Sequence, residues 1–365
     1  MTTGDLPALD VSGRLDRVLA DLGDAGCEVL VVSGRSNVRW LSGFTGSAGV
    51  AVVSASDAVL VTDARYGARA DEELAASSSP FSVVVADGPH SELQRLLGSG
   101  DRLGLEAAHV SWEDRRTYGE WFPDVDIVAV SGLVERHRMI KDTAELARMR
   151  RAARIADAAL GEMLPALVDG PTERELATAL ADAMVRHGAH GVAFPTIVAT
   201  GPNAARPHHT AGDRVIGSGE LVIIDSGAMV DGYRSDMTRT VCVGEPRPGD
   251  AELVALVTAA QQAGVDAVTA GVPTRDVDGA CRDLIAAAGR ADAFVHGAGH
   301  GVGLDIHEAP RVSRRADEVL AVGMVVTVEP GVYLDGLTGV RVEDTVVVTD
   351  SGAERLTLAP KTLVV

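Results

Sequence analysis

Lysine is almost absent from this 365-residue chain, which has only Lys141 and Lys361, and its basic residues are outnumbered 33 to 52 by acidic ones. The formal charge of −19 excludes the clustered Lys/Arg surface that phosphate neutralisation requires, so no nucleic-acid partner is expected. Aromatics, at 3%, leave little for base stacking. The charge reads most simply as a solubility feature. Cysteine is scarce too: Cys27, Cys242 and Cys281 make no CxxC pair and no zinc-ribbon spacing, which excludes a disulfide framework and points to a reducing compartment. No run approaches the roughly 18 apolar residues needed to cross a bilayer. MTTGDLPALD has neither a basic n-region nor an apolar h-region, so the expectation is a cytoplasmic protein without a membrane partner. Four enzymatic signatures are missing, GxxxxGK[ST], HExxH, GxSxG and GxGxxG, which removes the main support for a P-loop NTPase, a zincin or a serine hydrolase. The alternate glycines of HGAGHGVG (296–303) do not fit the dinucleotide fingerprint either.

What is present is enough apolar residue, 46%, to bury a sizeable core, over a length that suggests two domains. Apolar runs at EVLVV (28–32), AVVSA (51–55), AVLVTD (58–63), FSVVVAD (81–87), RLGLE (102–106) and VDIVAV (125–130) alternate with helical spacing such as Leu15 to Leu22, the pattern of an α/β domain. The polar stretch 131–143 lacks a strand pattern, which places an N-terminal domain at 1–135, a linker at 136–143 and a second domain at 144–365. There, Leu146, Met149, Ala153, Ala156 and Leu160 recur at helical spacing behind a start at Asp142 or Thr143. Thr172 and Glu175 make a capping-box signal for a second helix to about His187. Strand-like runs follow at 192–199, 221–228 and 236–243, the last two forming an expected hairpin about Val230-Asp231-Gly232. Helices at 251–270 and 274–288 then precede strands near 293–304, 324–329 and 340–348. Two helices followed by strands thus occur twice, the mark of a pseudo-duplicated α/β unit with antiparallel strands.

Carboxylates stand inside these apolar runs: Asp225 follows LVII, Glu329 ends MVVTVE and Glu343 interrupts VRVEDTVVV. Each costs several kcal/mol there unless it is paired, as with Arg239 or Arg341, sits at a strand end, or binds a metal. Asp225 and Asp236 lie on the two arms of the expected hairpin, where cross-strand partners come within about 5 Å, close enough to share one ion.

In order and separation, IDSGAMVDGYRSDMTRT (224–240), HGAGHGVGLDIHEAP (296–310), VEPGVY (328–333) and VRVEDT (340–345) resemble the metal-site motifs of the pita-bread metallopeptidases, peptidase family M24. Its members include methionine aminopeptidase, aminopeptidase P and prolidase. NVRWLSGFTGSAG (37–49), VTDARY (61–66) and GLEAAHVSWED (104–114) resemble the N-terminal domain of the proline-specific members, which methionine aminopeptidases lack. The resemblance implies a creatinase-like α/β domain followed by a pita-bread domain of pseudo-duplicated helices and antiparallel sheet. It also implies a dinuclear site: Asp225 on one metal, His300 and Glu329 on the other, with Asp236 and Glu343 bridging. All five are intact, unlike in creatinase. Four carboxylates to one imidazole form a hard, oxygen-rich set, for which Mn²⁺ is the natural choice, with Co²⁺ or Fe²⁺ as alternatives.

Two cations about 3.5–4 Å apart lower the pKa of a water they share toward neutrality, and one of them stabilises the oxyanion formed at the scissile carbonyl. By resemblance, Glu329 takes up the water's proton and passes it to the leaving nitrogen. His208, in GPNAARPHHT, matches a histidine on the leaving-group side of the substrate, with His209 the competitor for that register. His307 matches one that hydrogen-bonds the substrate carbonyl, and His296 a position used by proline-specific members. Tyr333 matches a substrate-side position, Arg341 and Thr238 match residues that support the ligands, and Cys242 reads as core packing. Arg234 replaces the smaller or uncharged residue expected there.

The activity implied is hydrolysis of the bond between an N-terminal residue and proline in short peptides, by a homodimer whose N-terminal domain helps wall the cleft. Arg311, four residues after His307, is the candidate cation for a free C-terminal carboxylate; this and the compact length favour an Xaa-Pro dipeptidase over an aminopeptidase P. Three other readings stay open: Arg311 facing solvent, an inactive peptide-binding module, and hydrolysis of a related C–N bond in a non-peptide substrate.

Overall fold

The computed structural model describes residues 6–365. Residues 1–5, part of the stretch read above for a leader, lie outside the described residues. Pro7–Arg138 form one compact unit, and Met139–Val365 the body of a second.

In the first unit the apolar runs become strands Val29–Val32, Gly49–Ser54, Ala58–Thr62, Ser82–Val85, Arg102–Glu106 and Asp126–Val130. They make one mixed sheet, in spatial order 82–85, 58–62, 49–54, 29–32, 102–106, 126–130. Gly49–Ser54 is antiparallel to both of its neighbours, and the other three pairings are parallel. Val29–Val32 is buried along its whole length, as a central strand covered on both faces requires. The polar stretch 131–143 is more regular than its composition suggests, because Leu133–Arg138 form a short helix that buries Leu133 and Val134.

The second unit opens with two helices whose starts are fixed by side chains. Asp142 accepts from the Glu145 amide while Glu145 reaches back, opening Thr143–Met163, and Thr172 with Glu175 does the same for Glu173–Arg186. Met149, Ala152, Ala153, Ala156 and Leu160 form the buried stripe of the first helix. Helices Asp250–Ala267 and Thr274–Ala287 repeat the pair, packing Val257, Ala260, Val277, Cys281 and Ile285 into one core with Val326, Val328, Val340 and Val346. Each buried side chain of Val or Ile size is worth about 1.5–3 kcal/mol. All three cysteines are free and buried, Cys242 within that same core.

The strands depart from expectation where the chain changes sheets. Leu221–Ser226 pairs antiparallel with Met237–Cys242, and Ile197–Thr200 completes that sheet. Between its arms, Ala228–Val230 and Tyr233–Arg234 peel away to pair with each other, and Ala228–Val230 also pairs with Gly191–Val192. The turn is a left-handed pair, Asp231 at φ 45° and Gly232 at φ 75°. Asp225 therefore lies opposite Thr238 rather than Asp236, which falls on the diagonal of the same face. The run 340–348 is also two strands: Thr338–Arg341 pairs with Gly331–Leu334, while Asp344–Thr349 pairs with Val325–Val328 and Gly352–Arg355. Val342 and Glu343 form the break. Of 293–304 only Gly299–Gly301 is strand, and its glycines allow close backbone approach, since a Cβ at Gly299 would collide with the Thr327 carbonyl and one at Gly301 with the Ala309 carbonyl. Among the described residues, no helix is long and apolar enough to cross a membrane.

Candidate metal centre

Each of these sheet changes delivers a carboxylate to one place. Asp225 is the fifth residue of Leu221–Ser226, Asp236 immediately precedes Met237–Cys242, Glu329 follows Val325–Val328, and Glu343 occupies the break at 342–343. His300, at the centre of Gly299–Gly301, joins them: its Nε2 lies 3.6 Å from Asp236 Oδ2 and 3.4 Å from Glu329 Oε1. Asp236, His300 and Glu343 each offer one ligand atom within 4.8 Å of the others.

The surroundings leave these atoms free for an ion. His300 Nδ1 donates to the Gly301 carbonyl at 3.0 Å, which directs the Nε2 lone pair toward the carboxylates. Thr327 Oγ1 accepts from the His300 amide at 3.0 Å and donates to Glu329 Oε1 at 3.3 Å. Thr238 Oγ1 donates to Glu343 Oε2 at 2.8 Å, and Arg341 Nη2 donates to Asp225 Oδ2 at 2.6 Å. The other oxygens of those two carboxylates, Asp225 Oδ1 and Glu343 Oε1, are buried without a partner. Burial, then the charges of Glu343, Asp225 and Glu329, push the Asp236 carboxyl well above its ordinary range. Burial, then Glu329 and Asp225, do the same to Glu343, and burial raises Glu329. Buried orphan oxygens and mutually repelling carboxylates are what a divalent cation resolves, so the donor set fits a metal.

Arg341 links Thr238, Tyr333 and, through Tyr333, His296. Its Nε donates to Thr238 Oγ1 at 3.0 Å and its Nη1 to the Tyr333 hydroxyl at 2.9 Å. Tyr333 donates in turn to His296 Nε2 at 2.9 Å, since His296 Nδ1 is occupied with the Gly297 carbonyl. Tyr333 is buried, its phenol pushed up to about 12 by desolvation. His307 is exposed, its ring edge-on to His300 at 4.4 Å between centroids. His208 is exposed and close enough to His296 and His307 to influence both electrostatically. His209 points elsewhere, to Glu173 at 2.8 Å. Arg311 is exposed but lies directly opposite His300 across the strand pair, which puts both side chains on one face.

Residue types alone did not disclose several contributors. Arg234 receives an account here: its guanidinium donates to the carbonyls of Leu304 and Ala193, and its amide donates to Gly303, so it pins the loop that leads to His307. Arg239 donates to the Glu343 carbonyl and pairs with buried Asp344, which also takes Lys361 at 2.7 Å. Lys141, almost wholly buried, pairs with Glu308 at 2.6 Å, beside His307. A second carboxylate–histidine group, Glu106, His109 and Glu135, lies in the first unit. There the Ser33 and Gly34 amides and Asn37 already fill the Glu106 oxygens.

Residues 147–350 match the model of metallopeptidase family M24, and residues 14–140 that of the creatinase/prolidase N-terminal domain. The chain belongs to family M24. This M24 chain is 34% identical to the Xaa-Pro dipeptidase of Pyrococcus furiosus over 96% of its own length and 99% of the relative's. Among solved structures it resembles an Xaa-Pro dipeptidase from Bacillus anthracis at 36% identity and a TM-score of 0.91, covering 96% of this chain and 98% of that one. An X-Pro aminopeptidase from Thermotoga maritima matches at 34% identity and a TM-score of 0.86, with 96% and 100% covered. Both proline-directed activities therefore occur among relatives of this M24 fold.

Proposed function

We propose that the protein is a dinuclear-metal exopeptidase that hydrolyses the Xaa-Pro bond of short peptides, acting foremost as an Xaa-Pro dipeptidase. The observation that carries this reading is the convergence of Asp236, His300 and Glu343 within 4.8 Å, beside the orphaned oxygen of Asp225. Asp225, Asp236, His300, Glu329 and Glu343 would hold two divalent cations, Mn²⁺ by preference and Co²⁺ or Fe²⁺ as alternatives, which when bound supply Lewis acidity to a water and to the scissile carbonyl. Thr238 and Arg341 hold Glu343 and Asp225 in orientation through the hydrogen bonds described above. Glu329 carries a proton from the attacking water to the proline nitrogen. His307 hydrogen-bonds the substrate carbonyl, and His208 faces the leaving side. His296, fixed by Tyr333, lines the peptide's path.

Arg311 supports the dipeptidase form, because a guanidinium on the His300 face can grip a free C-terminal carboxylate in bidentate fashion. Its exposure and the Thermotoga maritima likeness support the second reading, an aminopeptidase P that leaves this end open. A homodimer is part of the proposal, and sedimentation showing a strict monomer would remove that part. The test of function is turnover of Ala-Pro, Met-Pro and Ala-Pro-Ala with Mn²⁺ or Co²⁺ supplied. Preference for the dipeptides supports the first reading, and preference for the tripeptide the second. No turnover, together with less than one equivalent of metal, would mark an inactive binding module.

A further inference from the structure

Glu173 is the first residue of its helix and is fully buried, yet it lies outside the metal-ligand set. Its two oxygens gather the ends of one loop. Oε1 accepts from the Thr200 amide at 2.9 Å and from Asn203 Nδ2 at 3.0 Å. Oε2 accepts from His209 Nε2 at 2.8 Å and from the Gly212 amide at 3.1 Å. Every bond crosses at least 27 residues of sequence, so the helix capping box at Thr172 and Glu175 neither needs nor explains this carboxylate. One residue before His208, the Pro207 carbonyl accepts from Arg341 Nη1 at 3.3 Å, and the same guanidinium holds Asp225. His208 is thus strung between two anchors, one tied to the metal centre and the other to a buried carboxylate. Its own imidazole makes no hydrogen bond among the described residues and lies near His296 and His307.

We infer that Glu173 and His209 are positioning residues, which fix the 200–212 loop so that His208 meets the substrate; this rests on the role of His208 proposed above. A buried carboxylate that satisfies two backbone amides, an amide side chain and an imidazole holds a loop in one arrangement, because each lost bond would leave a desolvated polar group. Small displacements at a substrate-contacting group are expensive, up to about 10²-fold in rate for roughly 1 Å.

The test compares His209→Leu, which removes the donor, with His209→Gln, whose amide can place a donor near the same point. On Ala-Pro with Mn²⁺ supplied, His209→Leu should lower kcat by about tenfold or more at unchanged KM and metal content, while His209→Gln stays within about threefold of wild type. In a His208→Ala background the Leu change should cost no more than about twofold, because both substitutions then act through one group. In the metal-free protein, the 200–212 amides should exchange hydrogen faster in His209→Leu and Glu173→Gln, and at the wild-type rate in His209→Gln. Equal losses with and without His208, or full kcat in His209→Leu, would overturn the positioning role. Unchanged exchange would overturn the anchor itself. Wild-type turnover in His208→Ala would instead refute the reading of His208, an outcome distinct from the other two.

Discussion

Replacing Asp236 by asparagine should stabilise the metal-free protein and destabilise the metal-loaded one. In the metal-free centre, burial raises the carboxyl groups of Asp236, Glu329 and Glu343 above their ordinary range, and neighbouring carboxylate charges come second for Asp236 and Glu343. A carboxyl whose folded pKa is raised contributes stability below its unfolded pKa and loses it as the pH climbs through the folded value. Metal-free wild type should therefore melt at progressively lower temperature as the pH goes from about 5 to about 8. Asp236→Asn keeps the shape and removes one of the repelling charges, so its melting temperature should fall less and exceed that of wild type at the upper end. Metal reverses the order. Two sites filled at about 100 times their dissociation constants contribute about 2.7 kcal/mol each, roughly 5 kcal/mol in all. For a unit of about 230 residues that corresponds to a rise of about 10–20 °C, at 2–4 °C per kcal/mol. A neutral amide is a much poorer ligand for a divalent cation than a carboxylate, so most of this rise should vanish. Differential scanning calorimetry with chelator and with Mn²⁺, at both ends of the pH range, reads all four states. A metal-induced rise as large as that of wild type, or a metal-free variant that melts below metal-free wild type at pH 8, would refute the reasoning.

His208→Ala and His307→Ala should each retain the full metal complement by elemental analysis while kcat falls about 10²–10³-fold; loss of metal would make either one a structural residue. Arg311→Ala should raise KM for Ala-Pro by about tenfold or more, the worth of one charge-assisted contact, and leave Ala-Pro-Ala unaffected. Asp344→Ala strands Arg239 and Lys361 in the core and should cost about 3–5 kcal/mol, measurable as a lower urea midpoint; a shift under about 1 kcal/mol would show that water reaches the pair.

The sequence disclosed most where one physical pattern governs one element. The six strands of the first unit follow from β-branched runs between polar turns, and both helix starts of the second unit follow from capping boxes. Its limits lie where continuity of pattern hides a change of sheet. VRVEDTVVV reads as one strand because valines recur along its whole length, and nothing in that pattern reveals that Glu343 sits at the junction of two sheets. The hairpin carrying Asp225 and Asp236 had the turn where it was expected, but the arms near the turn pair elsewhere. Arg234 and Glu173 were illegible for a different reason. The guanidinium of Arg234 meets backbone carbonyls and half the partners of Glu173 are backbone amides, groups that leave no trace in composition, while its side-chain partners lie 30 and 36 residues away.

The near absence of lysine acquires a practical meaning from where the two lysines lie. Lys141 clasps the residue after His307, and Lys361 clasps the residue after Glu343, with side-chain exposures of 1% and 18%. The Lys141 ammonium is closed to an acylating reagent and that of Lys361 is tied to Asp344, so labelling at Lys141 has to wait for a local opening. The extent of acylation at Lys141, followed by mass spectrometry over time, therefore works as a clock for the loop beside His307, with partly exposed Lys361 as the faster reference.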